Sequence, residues 1–239
     1  MTPIKIYAII FIVRGKEENK MRKYEKIETL FARDMEGSKK LLPNVFRDET
    51  VKYLANNEWE WTEKVDGTNI RVYWDGHKVT FGGRTDNAAI PAELMNRLNE
   101  LFDGETNAQI FEQAFGEKEV ILFGEGYGRK IQNGGSYIPD GVDFILFDVL
   151  VGDNYQAREW VEQTAKMFDI KVVPIVGRGS LFDACKYVKS HPSSTIAVKE
   201  VEMEGVVCRP MVEMRDRCGN RMIVKIKWCD LKDVVFDFN

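Results

Sequence analysis

The chain has 239 residues, of which 44% are hydrophobic and 30% are charged, and its formal net charge is −4. This composition is ordinary for a folded globular protein and excludes an intrinsically disordered chain. The negative net charge also excludes a uniformly basic nucleic-acid-binding protein, so any contact with nucleic acid would depend on a local positive patch.

The N-terminal 20 residues differ in character from the rest. Residues 7–13 are strongly apolar but too short to cross a bilayer, and no small-residue cleavage site follows them. Residues 1–20 are therefore interpreted as an N-terminal extension, with an early translation start and an added strand as the open alternatives. Residues 21–239 are expected to form one domain of a cytoplasmic protein that makes no membrane contact.

The alternation of apolar and polar residues predicts most of the remaining elements. Residues 59–63 and 69–74 alternate like half-buried strands, and Asp75-Gly76 predicts a hairpin that joins 68–74 to 77–83. Further periodicities predict helices at 91–102, 106–115, 157–168 and 180–189, and strands at 120–123, 144–151, 172–176, 204–210 and 222–228. Because strands outnumber helices and hairpins are frequent, we expect one α+β domain with mainly antiparallel sheets.

The connection between the first two of these strands carries the run Glu63-Lys64-Val65-Asp66-Gly67-Thr68-Asn69. A lysine followed by an acid, a glycine and a polar amide suits attack of an uncharged amine on a nucleotide phosphate. Gly67 is expected to give the backbone freedom for a tight turn. An ordinary surface lysine before a turn is the alternative that this motif alone leaves open.

Five further motifs follow Lys64 in chain order. They are Phe81-Gly82-Gly83-Arg84-Thr85, Phe123-Gly124-Glu125-Gly126, Asp143-Phe144-Ile145-Leu146-Phe147-Asp148, Glu204-Gly205-Val206-Val207 and Val224-Lys225-Ile226-Lys227. In kind, order and spacing, the six motifs resemble those of the covalent nucleotidyltransferase superfamily, which contains DNA ligases, RNA ligases and mRNA capping enzymes. Asn69 resembles the RNA ligases, particularly the RNA ligase 2 class of bacteriophages and RNA-editing systems. The resemblance extends from about Tyr24 to about Trp228.

The resemblance implies a nucleotidyltransferase (adenylation) domain, in which two packed sheets with flanking helices hold ATP in the cleft between them. Lys64 would be the nucleophile. Lys225 and Lys227 would share one strand face, disfavour the charge of Lys64 and neutralise the α-phosphate. Glu204 would hold Mg²⁺, or Mn²⁺ in its place.

The resemblance also implies the nucleotide contacts. They are the peptide groups around Glu63 on the adenine edge, Phe147 stacked on the adenine, Glu125 on the ribose hydroxyls, and Asn69, Arg84 and Arg209 on phosphate or substrate. Strand alternation places Asp148 on the face opposite to that of Phe147. The basic residues between Arg209 and Lys227 are expected to form the local surface that holds RNA by its phosphates.

The activity implied is ATP-dependent RNA ligation, in which AMP passes from Lys64 to the 5′-phosphate of an RNA strand before a 3′-hydroxyl displaces it. Nicked or broken RNA ends would be the substrates, RNA repair would be the role, and a monomer encoded by a phage or virus would fit. Two alternatives stay open: a minimal ATP-dependent DNA ligase, and a nucleotide- or RNA-end-binding module without catalysis. Asn69 argues against a capping enzyme.

Overall fold

A computed structural model describes residues 21–235, so the apolar segment 7–13 lies outside the described residues. The strands within this range are β1 (Glu28–Thr29), β2 (Phe31–Arg33), β3 (Leu41–Phe46), β4 (Trp59–Glu63), β5 (Thr68–Trp74), β6 (Val79–Gly82), β7 (Val120–Gly128), β8 (Val142–Val151), β9 (Asn154–Tyr155), β10 (Lys171–Val172), β11 (Ile175–Gly179), β12 (Gly205–Pro210) and β13 (Val224–Lys227). The α-helices are α1 (Glu49–Leu54), α2 (Ala92–Phe102), α3 (Glu105–Phe115), α4 (Arg158–Met167), α5 (Leu181–Lys189) and α6 (Trp228–Leu231).

Most strands form two sheets. The first sheet has the order β1-β13-β12-β4-β11, and the second has the order β10-β8-β7-β5-β6, with β9 beside β8. Within these sheets, β1 runs parallel to β13 and β10 runs parallel to β8, whereas the other pairs are antiparallel. The predicted α+β class with two mainly antiparallel sheets is confirmed.

Helices cover the outer face of each sheet. Helix α2 packs Leu94, Leu98 and Phe102 against the second sheet, together with residues of α3 and α4. Helices α1, α5 and α6 cover the first sheet in the same way. Full burial of each large aliphatic or aromatic side chain contributes roughly 1.5–3 kcal/mol. The helices therefore bury the outer face of each sheet, and the cleft forms between the two inner faces.

The local predictions hold with one exception. The hairpin at Asp75-Gly76 is present, with Gly76 at φ +97°, and the four predicted helices correspond to α2, α3, α4 and α5. The single strand predicted at 172–176 is wrong, because it is divided between β10 of the second sheet and β11 of the first. The break falls at Val173-Pro174, where proline has no N–H group to continue a ladder. Among residues 21–235, no helix has the length and apolar character needed to span a membrane.

Candidate active site

Lys64 lies where the chain passes from one sheet to the other. Strand β4 ends at Glu63 in the first sheet and β5 begins at Thr68 in the second, so the predicted inter-strand position of Lys64 is confirmed. Gly67 is needed there for a different reason from the one expected. A Cβ atom on Gly67 would lie 2.3 Å from the carbonyl oxygen of Gly126, so this glycine allows a close approach of two backbones.

A cleft of about 350 Å³ opens between the two sheets. Its lining includes eight of the predicted site residues: Glu63, Lys64, Asn69, Arg84, Glu125, Phe147, Arg209 and Lys225. Of the other two, Glu204 joins this group through its ion pair with Lys64, and Lys227 joins it through its ion pair with Glu204. The structure therefore brings all ten predicted residues to one site, although their positions span more than half of the chain.

Glu204 bridges two of the lysines. Its Oε2 atom lies 2.5 Å from Nζ of Lys64, and its Oε1 atom pairs with Nζ of Lys227. We expected Lys225 and Lys227 to act jointly in disfavouring the charge of Lys64. Instead, the carboxylate of Glu204 lies between Lys64 and Lys227, so that Lys225 is the one of these three lysines without an ion-pair partner among the described residues.

The two lysines of β13 consequently differ in their pKa values. Burial, together with the positive charges of Lys227 and Lys64, lowers the pKa of Lys225. Burial also disfavours the charge on Lys227, but the hydrogen bond that Lys227 donates to Glu204 and the negative charge of Glu204 outweigh burial and raise the pKa of Lys227. The site thus combines a cation stabilised by Glu204 with a second cation, Lys225, that forms no ion pair within residues 21–235.

Glu204 is also the group best placed to hold a divalent cation. Among residues 21–235, no group of three or more His, Cys, Asp or Glu side chains could enclose a metal ion. Mg²⁺ is usually bound by one or two carboxylates together with substrate phosphates and water. Glu204 supplies one such carboxylate, which now pairs with Lys64 and Lys227, and the phosphates of a nucleotide would supply further oxygen ligands. The donor set therefore fits Mg²⁺ or Mn²⁺ that reaches the site with a nucleotide.

Asn69 and Glu125 are register partners on β5 and β7. The Oδ1 atom of Asn69 is buried and has no hydrogen-bond partner within the described part of the chain. Burial raises the pKa of Glu125 to about 8, against the lowering effect of Lys64. Buried polar groups are normally satisfied, so an unpaired acceptor and a desolvated acid on one wall indicate a surface that a polar ligand completes.

A β-bulge presents Phe147 to the cleft. Phe123 pairs with Asp148 and Gly124 pairs with Leu146, which leaves Phe147 as the extra residue of β8. A bulge resets the alternation of side chains along a strand. The prediction that Asp148 lies on the opposite face is therefore wrong, because Asp148 also points toward the first sheet, where it contacts Arg209.

Asp148 is fully buried at the centre of a charged network. Its carboxylate accepts hydrogen bonds from Arg221 at 2.6 Å, from Arg209 at 3.1 Å and from the hydroxyl of Tyr24 at 2.7 Å. Arg209 also donates to the carbonyl oxygen of Phe147. Arg209 therefore lines the cleft but ties the first sheet to the second, and its contact with phosphate stays a prediction.

The basic residues from 209 to 227 do not form the single exposed surface that we expected. The guanidinium of Arg221 pairs with Asp148 and Glu213, and its Cζ atom lies 3.6 Å from the ring centroid of Tyr155. Arg209 is held by the same network. Arg209 and Arg221 are thus satisfied inside the fold, whereas Arg215 and Arg217 are exposed, so the expected surface is reduced to part of this stretch.

Two contributors to the site were missed from the sequence. The extended segment 24–27 lines the cleft, and the ring of Tyr24 packs 5.0 Å from that of Phe147 between ring centroids. Buried Arg71 donates to the carbonyl oxygens of Gly83 and Met21 at 2.7 Å, which fixes the backbone beside Arg84. Segment 24–27 has no periodic pattern, and Arg71 occupies an ordinary strand position, so neither gave a signal.

The peptide N–H groups at Glu63 and Lys64, which were expected to help read a base, are already used within the fold. The N–H group of Glu63 donates to Pro174, and the N–H group of Lys64 donates to Gly205. The carboxylate of Glu63 is buried and accepts hydrogen bonds from Ser194 and Thr195. Recognition of the adenine edge in this stretch would thus fall to carbonyl groups, and it stays a prediction.

Comparison with solved structures shows the same fold in RNA ligases of Naegleria gruberi. One ligand-free mutant matches with a TM-score of 0.57 and 21% identity, over 77% of this chain and 53% of that chain. A mutant bound to ATP and manganese matches with a TM-score of 0.56 and 21% identity, over 75% of this chain and 52% of that chain. Another ATP- and manganese-bound mutant matches with a TM-score of 0.56 and 20% identity, over 86% and 61%. The chain thus spans between half and two thirds of the length of these ligases.

A family model described as RNA ligase matches residues 57–227, which contain all ten predicted site residues. This match covers well over half of the chain, and it includes every strand of the two sheets except β1. The chain belongs to the RNA ligase family.

Proposed function

We propose that this protein is an ATP-dependent RNA ligase that carries AMP on Lys64 and uses Mg²⁺ or Mn²⁺. The observation that carries the proposal is the convergence of Lys64, Glu204, Lys225 and Lys227 at one end of a cleft that also contains Phe147. The ATP and manganese found in the related Naegleria ligases support the choice of nucleotide and metal.

The cleft offers contacts for both the base and the phosphates of a nucleotide. Phe147 offers an aromatic face for the adenine, and its bulge holds that face toward the first sheet. Glu125 and Asn69 lie side by side on β7 and β5, where the Oδ1 atom of Asn69 has no hydrogen-bond partner among the described residues, and both would contact the ribose and the phosphates. Lys225, which has no ion-pair partner among the described residues, would meet the α-phosphate near Lys64.

In the first step, the amine of Lys64 forms a bond to the α-phosphorus of ATP, and the bond to the pyrophosphate leaving group breaks. Lys64 must lose a proton before it attacks, since only the neutral amine has a free electron pair. Lys227 and Lys225 would stabilise the negative charge that develops on the phosphate. A divalent cation held by Glu204 and the phosphates would neutralise further charge there.

In the next two steps, AMP is transferred to the 5′-phosphate of an RNA strand, and a 3′-hydroxyl then attacks this phosphate and releases AMP. Arg84 lines the mouth of the cleft, and no described residue forms an ion pair with it, so it is the proposed contact for the incoming 5′-phosphate. Nicked or broken RNA ends are the proposed substrates, and RNA repair is the proposed role.

The test is a sealing assay on matched nicks that differ only in the sugar of the 3′-hydroxyl strand. We expect an RNA-ended nick to be sealed far faster than an all-DNA nick, because the 2′-hydroxyl distinguishes RNA from DNA at a single site. Arg84→Ala is expected to reduce sealing more than formation of the protein–AMP adduct. Equal sealing of both nicks would indicate a minimal DNA ligase. ATP binding without any adduct would indicate a binding module.

A further inference from the structure

We propose that Glu63 is a positioning residue that fixes the nucleophile Lys64 relative to Glu204 by clamping the chain segment that leads to Glu204. This inference rests on the proposed function, because it assigns Glu63 to the same chemistry. It gives the carboxylate of Glu63 a role separate from any contact between its peptide groups and the adenine.

The carboxylate of Glu63 is buried against neutral donors. The residue is 1% exposed, and its Oε1 atom accepts a hydrogen bond from the hydroxyl of Ser194 at 2.5 Å. Its Oε2 atom accepts from both the N–H group and the hydroxyl of Thr195, at 2.9 and 2.7 Å. No described residue forms an ion pair with Glu63. A buried carboxylate is costly unless it is fully hydrogen-bonded, so these three bonds hold residues 194 and 195 firmly.

The clamped residues begin a short ladder that ends at Met203, the residue before Glu204. Ser194 donates its N–H group to Val201, and Met203 donates its N–H group to Pro192, both at 2.8 Å. Ser193 and Glu202 form a bridge between these two hydrogen bonds. The chain segments on either side of the ladder are therefore held together, and the position of residue 203 is set by that of residue 194.

The end of this segment returns to Lys64. The N–H group of Lys64 donates to the carbonyl oxygen of Gly205 at 2.9 Å, while its side chain pairs with Glu204 at 2.5 Å. The adjacent residues Glu63 and Lys64 thus hold both ends of segment 194–205. A closed ring of contacts runs from the Glu63 carboxylate through the ladder to Glu204, and from there back to Lys64.

This ring explains why a strand residue next to the nucleophile carries a buried acid that faces away from the cleft. Misplacement of a reacting group by about 1 Å can reduce a rate roughly 100-fold. Partners that orient a metal ligand typically change metal affinity by about 10–100-fold when they are removed. Loss of the clamp should therefore affect the rate and the metal dependence together, whereas a residue that only anchored the fold would lower stability alone.

The experiment compares Ser194→Ala/Thr195→Val, which removes both hydroxyl donors but keeps the backbone N–H groups, with Thr195→Ser, which keeps a hydroxyl. Glu63→Gln is a second variant that retains the size of the side chain. Ser180→Ala is the matched control, because Ser180 makes a similar hydroxyl–carboxylate contact with Asp183 in the cap of α5, away from the cleft. Each full-length protein is incubated with labelled ATP over a range of Mg²⁺ concentrations, and hydrogen exchange is measured without ligand.

We expect the double variant and Glu63→Gln to form the adduct at least about 10-fold more slowly at saturating ATP. They should also need roughly 10-fold more Mg²⁺ for half-maximal rate. Exchange of the amides at 201–206 should accelerate in both, whereas Thr195→Ser should retain most of the rate and Ser180→Ala all of it. An unchanged Mg²⁺ dependence and unchanged exchange at 201–206 in the double variant and Glu63→Gln would overturn the inference. If the unaltered protein formed no adduct at all, the proposed function would fail, and the exchange data would still decide whether the clamp exists.

Discussion

Replacement of Asp148 by alanine tests the charged network that joins the two walls of the cleft. The carboxylate is fully buried and serves Arg221, Arg209 and the hydroxyl of Tyr24 together. Its removal leaves the guanidinium of Arg209 without an ion-pair partner among the described residues, whereas Arg221 retains Glu213. Removal of one partner from a buried ion pair costs about 3–5 kcal/mol.

This loss is large compared with the total stability of a domain, which is typically about 5–15 kcal/mol. For a chain of this size, it corresponds to a fall in Tm of roughly 6–20 °C. Tyr24→Phe removes the hydrogen bond to the same carboxylate and a longer one from Arg221 at 3.3 Å, and it should cost about 1.5–3 kcal/mol, since these partners are charged. Asp148→Ala is therefore predicted to lose more stability than Tyr24→Phe.

The assay is equilibrium unfolding in urea of the full-length variants, with Asp153→Ala as the matched control. Asp153→Ala also removes an aspartate carboxylate. The side chain of Asp153 is 97% exposed and its ion pair with Arg22 lies on the surface, so the substitution should cost at most about 1 kcal/mol. If Asp148→Ala were no less stable than Asp153→Ala, the network would not stabilise the fold, and the physical reasoning about Arg209 would be refuted.

Three further predictions concern the cleft. Phe147→Ala should weaken ATP binding by about 1–3 kcal/mol through loss of stacking; equal affinity in calorimetric titration would place the adenine elsewhere. Burial raises the pKa of Glu125 from 4.5 to about 8. Between these two pH values the folded protein binds more protons than the unfolded chain, so the protein loses stability as the pH rises across this range. Glu125→Gln should remove that part of the pH dependence in urea unfolding with EDTA, and an identical pH profile would show that this acid is not desolvated. Deletion of residues 1–20 should leave adduct formation intact, whereas deletion of residues 1–27 should abolish it because the cleft loses Tyr24; labelling of the shorter protein would contradict a role for this segment.

The sequence predicted those features that depend on neighbouring residues. The position of Lys64 between two strands followed from alternation on both sides of it, and the common face of Lys225 and Lys227 followed from their spacing on one strand. The family resemblance supplied the chain order of the motifs, and the structure brings their residues to one cleft. Local periodicity was sufficient for the fold class, and motif order was sufficient to select ten residues that meet at one cleft.

The features that the sequence did not predict depend on contacts between distant residues or on departures from regular structure. Glu63 and Ser194 are 131 positions apart, and no local pattern links a strand glutamate to a loop serine. The bulge at Phe147 breaks the alternation on which the orientation of Asp148 was predicted. The position of Tyr24 follows from packing against Phe147 and Phe123, because its segment has no regular structure with a period to read.

The most direct measurement of the central claim is identification of the residue that carries AMP after incubation of the protein with ATP and Mg²⁺. Peptide mapping by mass spectrometry is expected to find the adduct on Lys64, and Lys64→Ala should form none while remaining folded. Lys78→Ala is the control, because Lys78 lies beside the hairpin turn at Asp75 and outside the cleft lining, and it should form the adduct at the normal rate. An adduct on any other residue, or on the Lys64→Ala protein, would contradict the assignment of Lys64 as the nucleophile.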